Sequence, residues 1–409
     1  MGAEGDGTAS DPLGRDPAYP AAMARSPGHP ALGSFGTTIF ATMSALAAEH
    51  GAINLGQGFP DTDGPVEVLD AAVAAIRGGR NQYPPGAGVP ELLDAVVAHQ
   101  HRFYGLDVDA RSEVLVTVGA TEAIAATVLA LVRPGDEVVT FEPYYDSYAA
   151  TIALAGGVRR TSVLRFPDFA VDEPSLRAAF SERTRLVLLN TPHNPTGKVF
   201  TREELDLVCA LAREHDAWLV TDEVYEHLVF DGAEHVPVAT LRGMWERTLT
   251  ISSAGKTFST TGWKVGWVSG PAEAVAAVRA VKQFLTYVGS GPFQPAVAVG
   301  LGLPDAVYAG LAGSLQAKRD RLVNGLRKSG MEVAVPRGTY FVVADAAPLG
   351  AADAVAFCHE LPARVGVVGV PVSVFHDDVE AARTLVRFTF CKEDAVLDEA
   401  CRRLAELVR

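Results

Sequence analysis

The feature that most constrains this chain is an alternation of short apolar segments with amphipathic ones, running from about residue 90 to about residue 270. The short segments have strand length and are apolar on both faces, as expected for strands covered on both sides. They are Val114–Val118, Glu137–Phe141, Arg185–Leu189, Trp218–Thr221, Thr248–Ser252 and Val265–Ser269. Between them, segments such as Thr121–Leu131 and Arg202–Glu214 have the spacing of amphipathic helices. The pattern predicts an α/β fold in which a mostly parallel sheet lies between two layers of helices.

The composition and the apolar periodicity of the sequence change on either side of this region. Residues 1–32 are rich in Gly, Ala, Pro and Asp and lack apolar periodicity, which predicts a mobile N-terminal extension. After about residue 305, a helical segment, Tyr308–Ser329, precedes two short apolar segments, Gly338–Val343 and Leu385–Phe390, which predicts a smaller α+β domain. We therefore predict an extension at 1–32, a segment joining the small domain at 33–50, a large domain at 51–304 and a small domain at 305–409.

Composition narrows the class of protein. The chain has 409 residues, of which 48% are hydrophobic and 21% charged, as in a globular protein of two domains. Its net charge of −14 argues against nucleic acids or anionic membranes as partners. No run of residues has the length and apolarity of a membrane span or the pattern of a signal peptide, so we expect a cytoplasmic protein. The four cysteines and ten histidines show no metal-ligand spacing, and we predict no metal site.

Ligands of open parallel sheets bind beyond the carboxyl ends of the strands, so the residues after each predicted strand are candidates for a site. Five strand ends carry polar, aromatic or small residues. These are the turn Gly119–Thr121, the segment Glu142–Tyr145, the segment Asn190–Gly197, the group Asp222, Glu223 and Tyr225, and the segment Ser253–Lys256. One edge of the sheet thus offers an anion-binding turn, an aromatic ring, an amide, a carboxylate and a lysine.

This combination matches the needs of pyridoxal 5′-phosphate (PLP), beginning with its phosphate and ring faces. A phosphate is stabilised by backbone N–H groups at a helix N-terminus, which Ala120 and Thr121 can provide. Ser253 and Lys264 add a hydroxyl group and a positive charge. Tyr145 can stack on one face of the pyridine ring.

The remaining residues match the reactive atoms of PLP. The ring nitrogen needs a carboxylate partner to stay protonated, and Asp222 fits that role. The ring oxygen can accept hydrogen bonds from Asn194 and Tyr225. Lys256 is the candidate for the amine that binds the cofactor covalently and then moves the proton of the substrate.

Six motifs, taken together, resemble the class I PLP-dependent aminotransferases. They are NLGQGFPD (Asn54–Asp61), NQYPPGAG (Asn81–Gly88), TPHNPTGKVF (Thr191–Phe200), TDEVYEHLVFDG (Thr221–Gly232), ISSAGKTFSTTGWKVGW (Ile251–Trp267) and VRFTFCKED (Val386–Asp394). The resemblance runs from about residue 33 to the C-terminus. It is strongest to the branch holding kynurenine aminotransferase (glutamine transaminase K), methionine aminotransferases and actinobacterial N-succinyldiaminopimelate aminotransferases.

The resemblance implies fold type I, with a seven-stranded sheet in the large domain, and a role for each motif residue. It makes Lys256 the Schiff-base lysine, Asp222 the partner of the ring nitrogen, and Asn194 and Tyr225 the partners of the ring oxygen. It places Tyr145 on the ring, and it assigns the phosphate to Ala120, Thr121, Ser253 and Lys264.

The resemblance also implies a homodimer and a substrate pocket. Tyr83 would reach the phosphate of the partner subunit. Arg387 would bind the α-carboxylate of an amino acid or 2-oxo acid, helped by Asn194 and the backbone of Gly58. Phe40, Tyr287 and Phe375 would line the pocket for the side chain. Some kynurenine aminotransferases carry His after the pocket aromatic where this chain has Val288, which weakens a kynurenine assignment.

The same residues are also compatible with other interpretations. Taken singly, Lys256 fits a surface charge, Asp222 a helix N-cap and Arg387 a surface ion pair. A P-loop around Lys256 fails, because the glycine it requires is Thr250 here. A DNA-binding effector sensor needs a larger N-terminal domain than residues 1–32. The alternative that stays open is a PLP-dependent β-lyase acting on cysteine S-conjugates, which would use the same residues.

Overall fold

The strands and helices alternate along most of the chain in the computed structural model, which describes residues 28–33, 36 and 38–408. The strands are β1 Ile53–Asn54, β2 Val114–Val118, β3 Glu137–Glu142, β4 Val158–Val163, β5 Thr184–Asn190, β6 Trp218–Asp222, β7 Thr248–Ser253, β8 Val265–Ser269, β9 Glu332–Ala334, β10 Phe341–Asp345, β11 Val367–Val368, β12 Val370–Pro371 and β13 Leu385–Thr389. The helices are α1 Ile39–His50, α2 Val66–Arg77, α3 Pro90–Tyr104, α4 Gly119–Leu131, α5 Asp146–Leu154, α6 Glu173–Ala179, α7 Arg202–Glu214, α8 Ala254–Thr257, α9 Ala272–Lys282, α10 Phe293–Leu301, α11 Asp305–Lys328, α12 Ala354–Val365 and α13 Asp394–Leu404.

Of the predicted N-terminal extension, residues 1–27 lie outside the described residues. Pro30–Leu32 form a short 3-10 turn, which contacts α5. Among the described residues, no single helix is both long and apolar enough to span a membrane. The consecutive helices α10 and α11, bent by 93° at their junction, meet the length and composition criteria only as a pair.

A seven-stranded sheet forms the centre of the molecule, in the order β2-β8-β7-β6-β5-β3-β4. Its neighbouring strands are parallel except at β8, which is antiparallel to both β2 and β7. This confirms the predicted α/β fold with a mostly parallel sheet. Each of the six predicted strands is present within one residue at either end.

Both faces of this sheet are buried, because alternate residues of its strands belong to two different cores. On β5, Val187 and Leu189 pack into the core that includes α7, while Leu186 and Leu188 pack into the core that includes α4 and α9. Helix α7 begins with the predicted capping box, in which the Thr201 and Glu204 side chains each accept a backbone N–H of the other. The helices therefore cover the sheet from two sides, as the sequence pattern predicts.

A second, antiparallel sheet lies in the C-terminal part of the chain, in the order β12-β13-β10-β9. Strand β1 pairs with β11 in a separate parallel pair, and α1 packs against α12. Strand β10 begins at Phe341, three residues later than the sequence predicts, since Thr339 has a φ of 64° and turns the chain. Strand β13 lies in the interior of this sheet, so Arg387 is buried rather than on a sheet edge.

One segment after β12 is attached to the end of β3, although 234 residues separate Glu142 from His376 in the chain. The buried Glu142 carboxylate accepts the backbone N–H groups of Asp377 and Asp378, at 3.0 and 2.9 Å. Its Oε2 also lies 3.2 Å from Nδ1 of His376. The backbone N–H of Tyr144 donates to the carbonyl oxygen of Phe375, at 2.9 Å. The segment Phe375–Asp378 is therefore held by the large sheet.

Candidate active site

A cavity of about 330 Å³ opens at the carboxyl ends of the central strands, where α4 and α8 begin. Most of the predicted site residues line it. They are Phe40, Gly58, Ala120, Thr121, Tyr145, Asn194, Asp222, Tyr225, Ser253, Lys256, Lys264 and Arg387. The structure thus brings together residues from five strand ends, from α1 and from the C-terminal sheet.

The turn between β2 and α4 gives the cavity an anion-binding corner. Gly119 begins α4 with a φ of 71°, a conformation that favours glycine. Strand β8 passes so close that a Cβ atom on Gly266 would lie 2.7 Å from the carbonyl carbon of Gly119. The side chain of Lys264 lies against the same turn. The free N–H groups of the first turn of α4 and the Lys264 ammonium group therefore favour an anion here.

At the floor of the cavity, the carboxylate of Asp222 is buried at the end of β6. Its Oδ2 accepts a 2.5 Å hydrogen bond from the Tyr148 hydroxyl group, and its backbone carbonyl accepts one from Asn190, at 2.8 Å. Burial raises the pKa of Asp222 to about 6, and the Tyr148 hydrogen bond opposes that rise. A cation beside this carboxylate would be strongly stabilised.

Lys256 lies in α8, directly after β7, and its amine faces the cavity. Its Nζ donates to the hydroxyl oxygen of Tyr340, at 3.0 Å, and lies 5.8 Å from the centre of the Tyr225 ring. Burial lowers the pKa of Lys256 to about 8. An amine with such a pKa is partly unprotonated near neutral pH, which suits a nucleophile and a base.

The guanidinium group of Arg387 is buried and lines the same cavity. It donates to Asn194 Oδ1 at 3.1 Å and to the carbonyl oxygen of Gly56 at 2.8 Å. Within the described part of the chain, its buried Nε has no hydrogen-bond partner. Burial lowers the pKa of Arg387 to about 10, and the group keeps its charge at neutral pH. A buried cation with an unused donor is a site for an anion.

Three aromatic rings surround this guanidinium group. Its Cζ atom lies 4.2 Å from the ring centre of Phe341, 5.1 Å from that of Phe40 and 5.6 Å from that of Phe375. Phe375 does not line the cavity itself; its ring is buried and stacks on Phe40 at 5.9 Å. The wall beside Arg387 is therefore apolar.

Two predicted site residues lie away from the cavity of their own chain. Tyr83 and Tyr287 are 82% and 54% exposed, and their rings contact each other edge to face at 5.8 Å. Tyr287 has a φ of 65°, and Phe284, three residues earlier in the chain, is 85% exposed. Tyr83, Tyr287 and Phe284 are therefore exposed aromatic residues that do not line the cavity of their own chain.

Comparison with known proteins identifies the family. The sequence profile of "Aminotransferase class I and II" matches residues 50–404. This chain belongs to the class I and II aminotransferases. The aminotransferase is 54% identical over 384 residues to the probable N-succinyldiaminopimelate aminotransferase of Mycobacterium tuberculosis, covering 91% of this chain and 96% of that protein. It is 43% identical over 376 residues to the methionine aminotransferase of Escherichia coli, covering 92% of this chain and 97% of that protein.

The fold agrees with that identification. A solved structure of N-succinyldiaminopimelate aminotransferase from Mycobacterium tuberculosis matches with a TM-score of 0.91 and 54% identity, covering 93% of this chain and 100% of that chain. The predicted enzyme class, fold type and branch are therefore confirmed for this aminotransferase.

The aminotransferase brings to the site several residues to which the sequence analysis assigns no role. Tyr148 contacts Asp222, Tyr340 contacts Lys256, Asn190 contacts both Asp222 and Asn194, and Phe341 contacts Arg387. Tyr148 follows the predicted Tyr145 by three residues, so the helical spacing of α5 was an available signal. Nothing in the sequence pattern alone links Tyr340 to Lys256.

Outside the cavity, His99, Glu226 and His227 form the one group within the described part of the chain whose potential metal-ligand atoms lie within 4.8 Å of each other. The Nε2 atoms of the two histidines lie 2.6 Å apart, closer than the roughly 3.4 Å between two nitrogen ligands of a tetrahedral zinc ion. Glu226 accepts hydrogen bonds from Tyr104 and Ser252. These contacts describe a hydrogen-bonded cluster.

Proposed function

We propose that this aminotransferase binds PLP covalently through Lys256 and transfers the amino group of an L-amino acid with a large or apolar side chain to a 2-oxo acid. The observation that carries the proposal is the position of an amine and a buried carboxylate. The Lys256 amine and the Asp222 carboxylate face one cavity from the ends of the adjacent strands β7 and β6.

The residues present fit the cofactor. The corner formed by Ala120, Thr121, Ser253 and Lys264 combines N–H donors, a hydroxyl group and a cation, as a phosphate requires. Asp222 is a buried carboxylate that would be stabilised by the protonated ring nitrogen. Tyr145, Asn194 and Tyr225 line the same cavity and offer a ring and polar atoms to the cofactor.

The chemistry divides between the cofactor and the protein. When bound, PLP supplies a protonated ring that withdraws the electron pair left on the substrate Cα after its proton is removed. Lys256 Nζ accepts that proton, since burial holds its pKa near 8. Asp222 keeps the ring nitrogen protonated, because its carboxylate is shielded from water and supported by Tyr148.

Arg387 orients the substrate. A carboxylate can satisfy the unused Nε donor and the remaining guanidinium protons, while Asn194 holds the guanidinium in place. The backbone of Gly58 lies beside this position in the same cavity. The substrate Cα is thereby held between Arg387 and Lys256.

The donor class follows from the wall beside Arg387. Phe40 and Phe341 line the cavity and Phe375 supports Phe40, so the side-chain pocket is aromatic. Such a wall favours methionine, glutamine, aromatic amino acids, kynurenine or N-succinyldiaminopimelate. The names of the mycobacterial and Escherichia coli relatives support this range. Those relatives are named as aminotransferases, so nothing favours the β-lyase alternative.

We further infer a homodimer with shared sites, in which Tyr83 and Tyr287 of each subunit reach the partner's cavity. The exposed ring pair Tyr83–Tyr287 and the exposed Phe284 support this inference, since monomers rarely leave such groups in water.

The covalent link to Lys256 is tested by borohydride reduction of the PLP-loaded enzyme and peptide mass spectrometry. We expect one reduced PLP adduct, on Lys256. Lys256→Ala should keep the fold and lose turnover by several orders of magnitude, because Lys264, the other amine among the described residues that line the cavity, lies against the Gly119 turn instead. Lys282→Ala is the matched control, since Lys282 is also buried but donates to the carbonyl of Gly86 instead. Normal turnover by Lys256→Ala would overturn the proposal.

A further inference from the structure

We propose that Tyr340 is a positioning residue, whose hydroxyl oxygen holds the Lys256 amine by accepting its N–H and so leaves the nitrogen lone pair free to act as a base. This inference rests on the proposed role of Lys256. It adds a residue from the C-terminal sheet to the group that touches the reacting nitrogen.

The position of Tyr340 is fixed by its backbone and ring. The residue is fully buried and directly precedes β10. Its carbonyl oxygen accepts hydrogen bonds from the N–H of Phe390 at 2.9 Å and from the Thr389 hydroxyl group at 3.1 Å. Its ring packs edge to face against Tyr225, at 5.3 Å, and Phe341, at 4.8 Å. The hydroxyl group therefore has little freedom to leave Lys256.

The direction of each hydrogen bond is set by chemistry. The Tyr340 hydroxyl group has a single proton and donates it to the carbonyl oxygen of Gly58, at 2.6 Å. A carbonyl oxygen can only accept, so this proton is committed. The Lys256 Nζ atom, 3.0 Å from the same hydroxyl oxygen, must then be the donor. Tyr340 cannot occupy the lone pair of the amine, and the lone pair remains available as a base.

The charges around Lys256 favour this arrangement. Burial has the largest effect and favours the neutral form of Lys256, as do the positive charges of Lys264 and Arg387, whereas the Asp222 carboxylate favours the protonated form. Tyr340 is itself held neutral, because burial raises its pKa well above the ordinary tyrosine value. A neutral phenol keeps its proton for Gly58 over the working pH range and accepts from Lys256 whether the amine is neutral or charged.

Removal of the hydroxyl group has two expected effects. In Tyr340→Phe, the protonated Lys256 amine loses a buried hydrogen-bond acceptor, so its pKa falls further. The neutral amine also loses the contact that orients it, so removal of the substrate Cα proton slows. We expect kcat to fall about tenfold and the isotope effect on kcat with Cα-deuterated donor to rise.

The first test uses the protein without PLP, so that it does not depend on turnover. The rate at which Lys256 reacts with acetic anhydride is followed against pH by peptide mass spectrometry, which gives its pKa. We expect a lower pKa in Tyr340→Phe than in the wild type. Tyr308→Phe is the matched control, because the buried Tyr308 hydroxyl group also lies within bonding distance of backbone carbonyls, those of Gly300 and Leu301, and lies outside the cavity.

A second variant tests the same hydrogen bond with a smaller change, in case Tyr340→Phe does not fold. Replacing Tyr340 with 3-fluorotyrosine keeps the hydroxyl group but weakens its oxygen as an acceptor, and we expect a smaller shift in the same direction. An unchanged Lys256 pKa in Tyr340→Phe, together with an unchanged isotope effect, would overturn the inference. Failure of the proposed function would look different, since borohydride would then leave no PLP on wild-type Lys256.

Discussion

The hydroxyl group of Tyr148 donates a 2.5 Å hydrogen bond to Asp222 Oδ2, and both side chains are buried beneath the cavity. Tyr148 belongs to α5, which begins just after Tyr145, whereas Asp222 ends β6. The contact therefore connects the helix beside the proposed ring-stacking residue to the carboxylate under the proposed ring nitrogen. It opposes the rise that burial causes in the pKa of Asp222.

Tyr148→Phe should shift the pH dependence of the reaction. Burial raises the pKa of Asp222 to about 6 and the Tyr148 hydrogen bond opposes the rise, so loss of the bond moves the pKa further upward. A carboxylate loses its charge as the pH falls through its pKa, so the acid limb of the kcat/KM profile should move to higher pH. We also expect kcat at pH 7 to fall about tenfold.

The matched control is Tyr104→Phe, which removes a partly buried phenol that also donates to a carboxylate, that of Glu226, at 2.6 Å. Carbon-13 NMR titration of Asp222 in the protein without PLP measures its pKa directly. An acid limb that stays in place in Tyr148→Phe but moves in Tyr104→Phe would contradict the assignment.

The proposed dimer is tested by light scattering and by PLP retention. We expect a particle of two subunits, each of 43.1 kDa. Tyr83→Phe should weaken PLP retention, measured by equilibrium dialysis, by an amount equivalent to about 1–3 kcal/mol if the phosphate hydrogen bond is buried and charge-assisted. Tyr144→Phe serves as the control, since its hydroxyl group bonds Asp377 instead. A fully active monomer would refute the shared site.

Donor selectivity should disfavour aspartate. Among the described residues, the cations that line the cavity are Lys256, Lys264 and Arg387, each already assigned to the cofactor or to the α-carboxylate. A short acidic side chain would bury an unpaired carboxylate against Phe40 and Phe341. We expect kcat/KM for aspartate to be at least about 100-fold below that of the best large donor.

Asparagine separates charge from size in this panel, because it has the shape of aspartate without the charge. We expect asparagine to fall between aspartate and the best large donor. If aspartate were the best donor, a cation from the partner subunit would have to enter the pocket.

The central sheet could be predicted because its strands are buried on both faces. Such strands are apolar at nearly every position, so they appear in the sequence as short continuous apolar runs. Strand β4 was missed, since it lies at the sheet edge and most of its residues are polar or partly exposed. The predicted start of β10 is three residues too early, because Thr339 adopts a left-handed conformation that interrupts the extended chain. This conformation is rare for threonine and cannot be predicted from the residue type. The apolar pattern of a segment therefore predicts strands that are buried on both faces, but it does not locate edge strands or the turns at which strands begin.

The same distinction applies to the site. Asp222, Asn194 and Lys256 were found because each follows a buried strand, so one rule of topology places them together. Tyr340 approaches Lys256 from the other sheet, and its contact depends on how the two sheets pack. The assignment of Arg387 came from family resemblance; sequence alone suggested a surface ion pair, whereas the strand is interior.

The hydrogen bonds between Glu142 and the segment Phe375–Asp378 constrain the design of chimeric enzymes made from related aminotransferases. A recombinant that took residues 305–409 from another enzyme would import a new ring at position 375 while keeping the old carboxylate that anchors its backbone. The residues that must be exchanged to alter the donor range are therefore not contiguous in the chain. Glu142 at the end of β3 and the segment Phe375–Asp378 have to be replaced together.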